Sequence, residues 1–159
     1  MESARVHGVT HLMMASTSSV YGANTRMPFH ENDKADTPLT IYAASKKANE
    51  AMAHSYAHLW DIPTTMFRFF TVYGAWGRPD LALYKFVDAM LEGRPIDIYN
   101  NGDMYRDFTH VKDLVRGIRL LMDVPPVRPT CASDIMEGDS LSPVAPHRVV
   151  NIGNSDKVR

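Results

Sequence analysis

Short apolar segments of strand character alternate along this chain with longer segments of helical period, which restricts the fold to an open parallel sheet with helices packed on it. His11-Leu12-Met13-Met14-Ala15 reads as a buried strand that delivers Ser16, Thr17, Ser18 and Ser19 at its carboxyl end. Ahead of it, Glu2 to His7 reads as the tail of a helix closed by a left-handed Gly8. Tyr21 to Leu39 is loop. Ile41 to Trp60 follows as a helix on which Ala44, Ala48, Ala51, Ser55 and Leu59 form a stripe of mostly small residues, suited to close approach to a sheet. Asp61-Ile62-Pro63 stops that helix, and Thr64 to Phe70 has the β-branched and aromatic bias of a strand.

The second half continues the pattern less regularly. Leu81 to Leu91 has helical period, with Leu83, Phe86, Val87 and Met90 on one face and Gly93 beyond the end. Ile96 to Tyr99 reads as a short alternating strand running into the turn Asn100-Asn101-Gly102-Asp103, with Tyr99 a half-buried strand aromatic. A helix over about Lys112 to Met122 lines up Leu114, Ile118 and Leu121. Pro125 to Pro146 holds five prolines among Ser, Gly and Asp and reads as an irregular excursion, after which Val149 to Gly153 resumes as a strand.

The 159 residues, 45% hydrophobic, suffice for one core. A net charge of −1 with interspersed signs gives no basic stripe, which argues against a nucleic-acid partner. The single Cys131 excludes an internal disulfide framework and suits a reducing compartment. No apolar run approaches membrane-span length and no signal-peptide pattern opens the chain, so a soluble cytoplasmic protein is the expectation.

In open parallel sheets ligands sit beyond the carboxyl ends of the strands, and Ser16–Ser19 and Thr71–Gly74 fall at such ends. Tyr42 and Lys46 are four apart on the predicted helix and share a face. An ammonium beside a phenol favours the phenolate, which suits the phenol to accept a hydroxyl proton, and Thr17 can bridge it to a substrate hydroxyl. His54 and His58 have metal-face spacing, but no third ligand accompanies them and no metal site is expected.

Four segments resemble one family in the same order. Met14-Ala15-Ser16-Thr17-Ser18-Ser19-Val20-Tyr21-Gly22, Tyr42-Ala43-Ala44-Ser45-Lys46, Arg68-Phe69-Phe70-Thr71-Val72-Tyr73-Gly74 and Tyr105-Arg106-Asp107-Phe108-Thr109-His110-Val111 are similar to motifs of the extended short-chain dehydrogenase/reductases, within the NAD-dependent epimerase/dehydratase family. The resemblance implies an α/β fold: residues 1–75 as the C-terminal half of a Rossmann-type NAD-binding domain, and residues 76–159 as part of a small substrate-binding domain, with 123–148 an irregular loop. It implies NAD as cofactor and a UDP-sugar as substrate. Tyr42 would take a hydroxyl proton, Lys46 would hold the nicotinamide ribose, and Thr17 would bond the reacting hydroxyl, with Ser16 and Phe69 also at the cofactor. Ser18, Ser19, Thr71, Arg78 and Arg106 would meet the substrate. Two of these have simpler readings: Arg106 as a solvated surface arginine or a partner of Asp107 or Asp103 rather than a diphosphate grip, and Thr71 as the close of a buried strand.

In the dehydratases and decarboxylases an acid usually follows the hydroxyl residue, and in the dehydratases elimination of water needs one to protonate the departing hydroxyl. Ser18 and Ser19 stand there in this chain, which favours epimerisation. Thr71 to Asp80 resembles the uronate-processing epimerases, with Arg78 placed to pair a sugar carboxylate and Ala75 departing from their usual proline. The implied reaction interconverts UDP-glucuronate and UDP-galacturonate; the alternatives are another UDP-sugar 4-epimerase, such as one acting on UDP-glucose, and a non-catalytic remnant. No Gly-x-Gly-x-x-Gly occurs, so the chain is expected to be a fragment that alone binds NAD weakly and is inactive. A homodimer through Ile41–Trp60 and Leu81–Leu91 follows from the same resemblance.

Overall fold

The structure is a computed structural model that describes residues 1–103 and 105–158, leaving aside the side chains of Tyr99 and Lys157. A short helix α1 (Glu2–His7), closed by left-handed Gly8, precedes strand β1 (Leu12–Thr17). Helix α2 (Ile41–Trp60) then leads to strand β2 (Thr64–Phe69), and β1 pairs with β2 in parallel. Thr40 caps α2 by accepting the Ala43 N–H at 3.1 Å, and Asp61 ends the helix in the left-handed region at φ 53°. Strand β5 (His147–Ile152) lies parallel on the other side of β2, so this sheet draws one strand from well beyond residue 75. A fold of α/β class with a parallel sheet is what the alternating pattern predicts.

Side chains alternate across that sheet and give it two unlike faces. Phe67, Phe69, Val150 and Ile152 meet Leu114, Ile118 and Leu121 of helix α4 (Val111–Met122) in an apolar cluster. The opposite face carries the in-register row Ser16, Arg68 and Asn151, and α2 covers it. At Phe70 the chain leaves this sheet for a second one. There β3 (Thr71–Tyr73) runs parallel to β4 (Arg106–His110), and β4 pairs antiparallel with β6 (Lys157–Val158). Helix α3 (Ala82–Leu91) stands between β3 and β4 in sequence. Gly22, at φ 55°, turns the chain after β1: a Cβ there would sit 1.9 Å from the Thr37 carbonyl oxygen, so no side chain fits.

Several expectations need correcting. The face α2 turns to the sheet is Ala43, Glu50, Ala53 and Ala57, whereas Ala48, Ala51, Ser55 and Leu59 are exposed and Ala44 is half-buried. Composition alone pointed to the wrong stripe, because the buried polar row on the sheet selects the face bearing Glu50. Strand β1 is only half-buried from Leu12 to Met14 and open at Ala15, since it is an edge strand with a neighbour on one side. On α3 only Ala89 is buried, and Leu83, Val87 and Met90 face solvent. Residues 96–98 form no strand and Tyr99–Gly102 is a 3-10 turn, because among the described residues no strand pairs with them.

The excursion is irregular from residue 123 to 146, ending two residues before the expected 148 because β5 begins at His147, and it is pinned to α2. Arg128 donates to Asp61 Oδ1 at 2.9 Å and to the His58 carbonyl at 2.8 Å; His54 Nε2 meets Ser142 Oγ at 2.8 Å. His54 packs edge-on against the buried His147 with centroids 5.1 Å apart. Burial, with the His54 ring beside it, pulls the His147 imidazole down from its ordinary 6.5 to about 4. The unfolded chain therefore takes up that proton near 6.5 and the folded chain does not until about 4. Stability is complete above 6.5 and falls as pH drops through that window, by about 1.4 kcal/mol per pH unit at most. His54, lowered chiefly by burial, acts in the same direction. Urea unfolding at pH 7 and pH 5 checks this: the midpoint is expected to be lower at pH 5, and equal midpoints would contradict the assignment.

Candidate active site

A cavity of about 490 Å³ opens at the carboxyl ends of β1 and β2, where the chain crosses from one sheet to the other. Of the residues singled out from the sequence, Thr17, Ser18, Ser19, Phe69, Thr71, Arg78 and Arg106 line it. Thr17 closes β1 on the face opposite Ser16, in register with Phe69 and buried. Its Oγ1 accepts the Ser19 N–H at 3.2 Å and so caps a 3-10 turn over Ser18–Tyr21. Ser16 points the other way, donating to Glu50 Oε1 at 2.6 Å, and does not reach the cavity.

Tyr42 and Lys46 are not among the residues that line the cavity, although Tyr42 lies within charge-interaction reach of Arg78, which does. They share one face of α2, with the Lys46 ammonium 6.0 Å from the Tyr42 ring centroid. Lys46 Nζ donates to the Ala15 carbonyl at 3.1 Å, two residues before Thr17 in β1. The Tyr42 ring is 55% exposed, and among the described residues its hydroxyl makes no hydrogen bond. A phenol open to ligand, a neighbouring cation and a hydroxyl at the strand end make a set able to accept and return a hydroxyl proton.

Two arginines bring positive charge to the same cavity. Arg78 is exposed and held in a fork by Asp80, Nε to Oδ1 at 3.0 Å, the geometry in which a guanidinium takes a carboxylate. The Arg106 side chain is exposed and makes no ion pair or hydrogen bond among the described residues. Its neighbour Asp107 is committed elsewhere, accepting the backbone N–H groups of Asn154 at 2.9 Å and Ser155 at 2.8 Å. That arrangement does not support the reading of Arg106 as a partner of Asp107. Thr71 opens β3 rather than closing a buried strand, and is half-buried at the cavity wall.

The sequence passes through residues 1–130 in a match to the NAD dependent epimerase/dehydratase family. The chain belongs to that family. A probable UDP-glucuronate 4-epimerase of Rhizobium meliloti is 58% identical over 158 residues, 99% of this chain and 46% of the relative. Protein CapI of Staphylococcus aureus is 50% identical over 159 residues, all of this chain and 47% of CapI. Among solved structures, MoeE5 in complex with UDP-glucuronic acid and NAD superposes with a TM-score of 0.80 at 34% identity, covering 99% of this chain and 46% of MoeE5. The chain thus spans about half the length of the curated relatives it matches.

Sequence reasoning missed the buried polar cluster beneath this epimerase-family site. Glu50 and Arg68, 4% and 3% exposed, form a two-pronged ion pair: Nε to Oε1 at 2.9 Å and Nη2 to Oε2 at 2.8 Å. Arg68 also donates to the Glu31 carbonyl at 3.1 Å and lies 4.7 Å over the Tyr21 ring. Burial raises the Glu50 carboxyl, but the Arg68 hydrogen bonds and the Ser16 hydroxyl outweigh it and hold the group below the usual carboxylate range. The available signal was one charge inside Thr64-Thr65-Met66-Phe67-Arg68-Phe69, an otherwise apolar and hydroxyl-bearing strand, which requires a buried partner.

Proposed function

We propose that this chain carries the proton-transfer and sugar-facing part of an NAD-dependent nucleotide-sugar epimerase that interconverts UDP-glucuronate and UDP-galacturonate through transient oxidation at C4. The observation that carries the reading is the cavity at the strand ends, with Thr17 and two arginines in its wall and the Tyr42–Lys46 pair tied to β1 through the Ala15 carbonyl, two residues before Thr17. In this proposal residues 1–75 with β5 form the cofactor side and the remainder the substrate side.

The residues present fit the nicotinamide-ribose end of NAD: the Lys46 ammonium spends one of its three N–H groups on Ala15 and sits beside an open phenol. The sequence holds no Gly-x-Gly-x-x-Gly with which to hold the cofactor diphosphate, so this chain by itself is expected to bind NAD weakly and not to turn over. When bound, NAD supplies the two-electron oxidant. Tyr42 takes the proton of the C4 hydroxyl and later returns it, Thr17 bonds that hydroxyl and orients it, and Lys46 places a positive charge beside the phenolate. Arg106 binds the UDP diphosphate, and Arg78 exchanges Asp80 for the uronate carboxylate. The exposed apolar residues of α2 and α3, such as Met52, Leu59, Leu83 and Val87, suit a second copy of the chain.

The test is a chimeric polypeptide in which these 159 residues replace the matching segment of the Rhizobium meliloti relative. With UDP-glucuronate and NAD it is expected to form UDP-galacturonate, followed by NMR of the sugar; no product, where the unsubstituted parent is active, would sink the reading. In the same polypeptide Arg78→Ala should raise KM for UDP-glucuronate about 10–100-fold, the worth of a charge-assisted carboxylate pair, and leave UDP-glucose kinetics nearly unchanged. Equal losses on both sugars would remove the uronate assignment.

A further inference from the structure

Tyr42, Lys46 and Glu50 occupy one row of α2 at four-residue spacing, and the second and third of them are each bonded to β1 just before Thr17. Lys46 Nζ donates to the Ala15 carbonyl at 3.1 Å, and Ser16 Oγ donates to Glu50 Oε1 at 2.6 Å. From the β2 side, Arg68 grips the same carboxylate with two hydrogen bonds and is the in-register neighbour of Ser16. Arg68 is fixed in turn by the Glu31 carbonyl and the Tyr21 ring. Every other buried residue of α2 is an alanine. Alanines present a shallow surface with little to interlock, so apolar packing alone resists sliding of the helix along the sheet only weakly. A one-residue slide of about 1.5 Å would break the Ser16 and Arg68 bonds together and leave charges buried.

We propose that Glu50 is a positioning residue: it fixes how far along β1 the Tyr42–Lys46 face of α2 sits, and so aims the phenol at the Thr17 end of the cavity. This rests on the assignment of Tyr42 and Thr17 as the groups that handle the substrate hydroxyl. Glu50 touches neither substrate nor cofactor; it acts through the helix. Its charge-balanced pairing with Arg68 fixes, at the Tyr42 end of α2, the geometry that the alanine face lacks, whereas the bonds of His54, His58 and Asp61 hold the far end to the 123–146 excursion.

The test uses the 159-residue chain itself, without cofactor or sugar, so its outcome is readable whether or not the epimerase assignment holds. Glu50→Gln is compared with the double variant Glu50→Gln/Arg68→Met, which removes both buried charges and protects the fold. The readouts are the 15N resonance of the Lys46 ammonium and the ring resonances of Tyr42, with far-UV circular dichroism as the check on folding. In both variants the helical signal is expected to persist while the Lys46 ammonium resonance is lost to exchange and the Tyr42 ring signals shift. A folded double variant with wild-type Lys46 and Tyr42 signals would overturn the proposal. Loss of helical signal in both variants would make Glu50 a stability element only and overturn it equally.

Discussion

Arg68→Met is expected to destabilise the chain by about 3–5 kcal/mol, because it leaves the Glu50 carboxylate buried without its counter-charge. Both side chains of the pair are almost wholly removed from solvent, so water cannot take over the lost interaction. Ser16 and Lys47 remain as partners of Glu50, but a hydroxyl and a half-exposed ammonium at 3.4 Å do not replace a two-pronged guanidinium. Urea unfolding reads the effect as a lowered midpoint at unchanged slope. Adding Glu50→Gln to Arg68→Met should recover most of the loss, since the double variant buries no lone charge. A single variant within about 1 kcal/mol of wild type would show that the buried pair contributes little.

Tyr42→Phe, in the chimeric enzyme, is expected to lower kcat by about 10²–10⁴-fold, the usual contribution of a positioned acid or base. Thermal stability should change little, because the ring is half-exposed and its hydroxyl bonds to no described residue. KM for the sugar nucleotide should stay within a few-fold, since the arginines that bind its charges are untouched. That separation matters: a large loss in kcat with the fold and KM preserved marks a group that acts on the reacting hydroxyl. A parallel loss of kcat and stability would mark a structural tyrosine instead.

The parts of this molecule that were legible in advance are those where local chemistry decides the outcome. Helix α2 runs from Ile41 to Trp60 as its pattern predicts, because Thr40 caps it and Asp61-Ile62-Pro63 stops it. Helix α4 buries the stripe its period selects, since Leu114, Ile118 and Leu121 recur at three- and four-residue spacing on one face while Val115, Leu120 and Met122 fall off it and stay exposed. The misreadings occurred where a partner distant in sequence decides. Which face of α2 is buried depends on Arg68 in β2, eighteen residues beyond Glu50. Residues 96–98 have strand character but, among the described residues, no strand pairs with them. The apolar face of α3 was legible as apolar, and yet among the described residues Leu83, Val87 and Met90 of that face remain exposed.

The candidate site divides along the same line. The hydroxyl run at the end of β1 and the Tyr42–Lys46 spacing are local patterns, and the structure keeps the pair together, with Lys46 bonded to the β1 carbonyl two residues before the Thr17 that lines the cavity. Alternation along β1 separates Ser16 from Thr17, sending the first to the Glu50 cluster and the second to the cavity; consecutive serine and threonine letters conceal that difference. The fork between Arg78 and Asp80 was equally hidden, although the two lie only two residues apart, because whether they meet depends on the loop conformation.

The most direct test of the central claim is to run the chimeric enzyme on UDP-glucuronate and NAD in D2O and to examine C4 of the product. Oxidation and re-reduction at C4 by a bound coenzyme, with Tyr42 exchanging only the hydroxyl proton, predicts UDP-galacturonate that retains protium on C4. Deuterium at that carbon, or no UDP-galacturonate where the unsubstituted parent is active, would contradict the account.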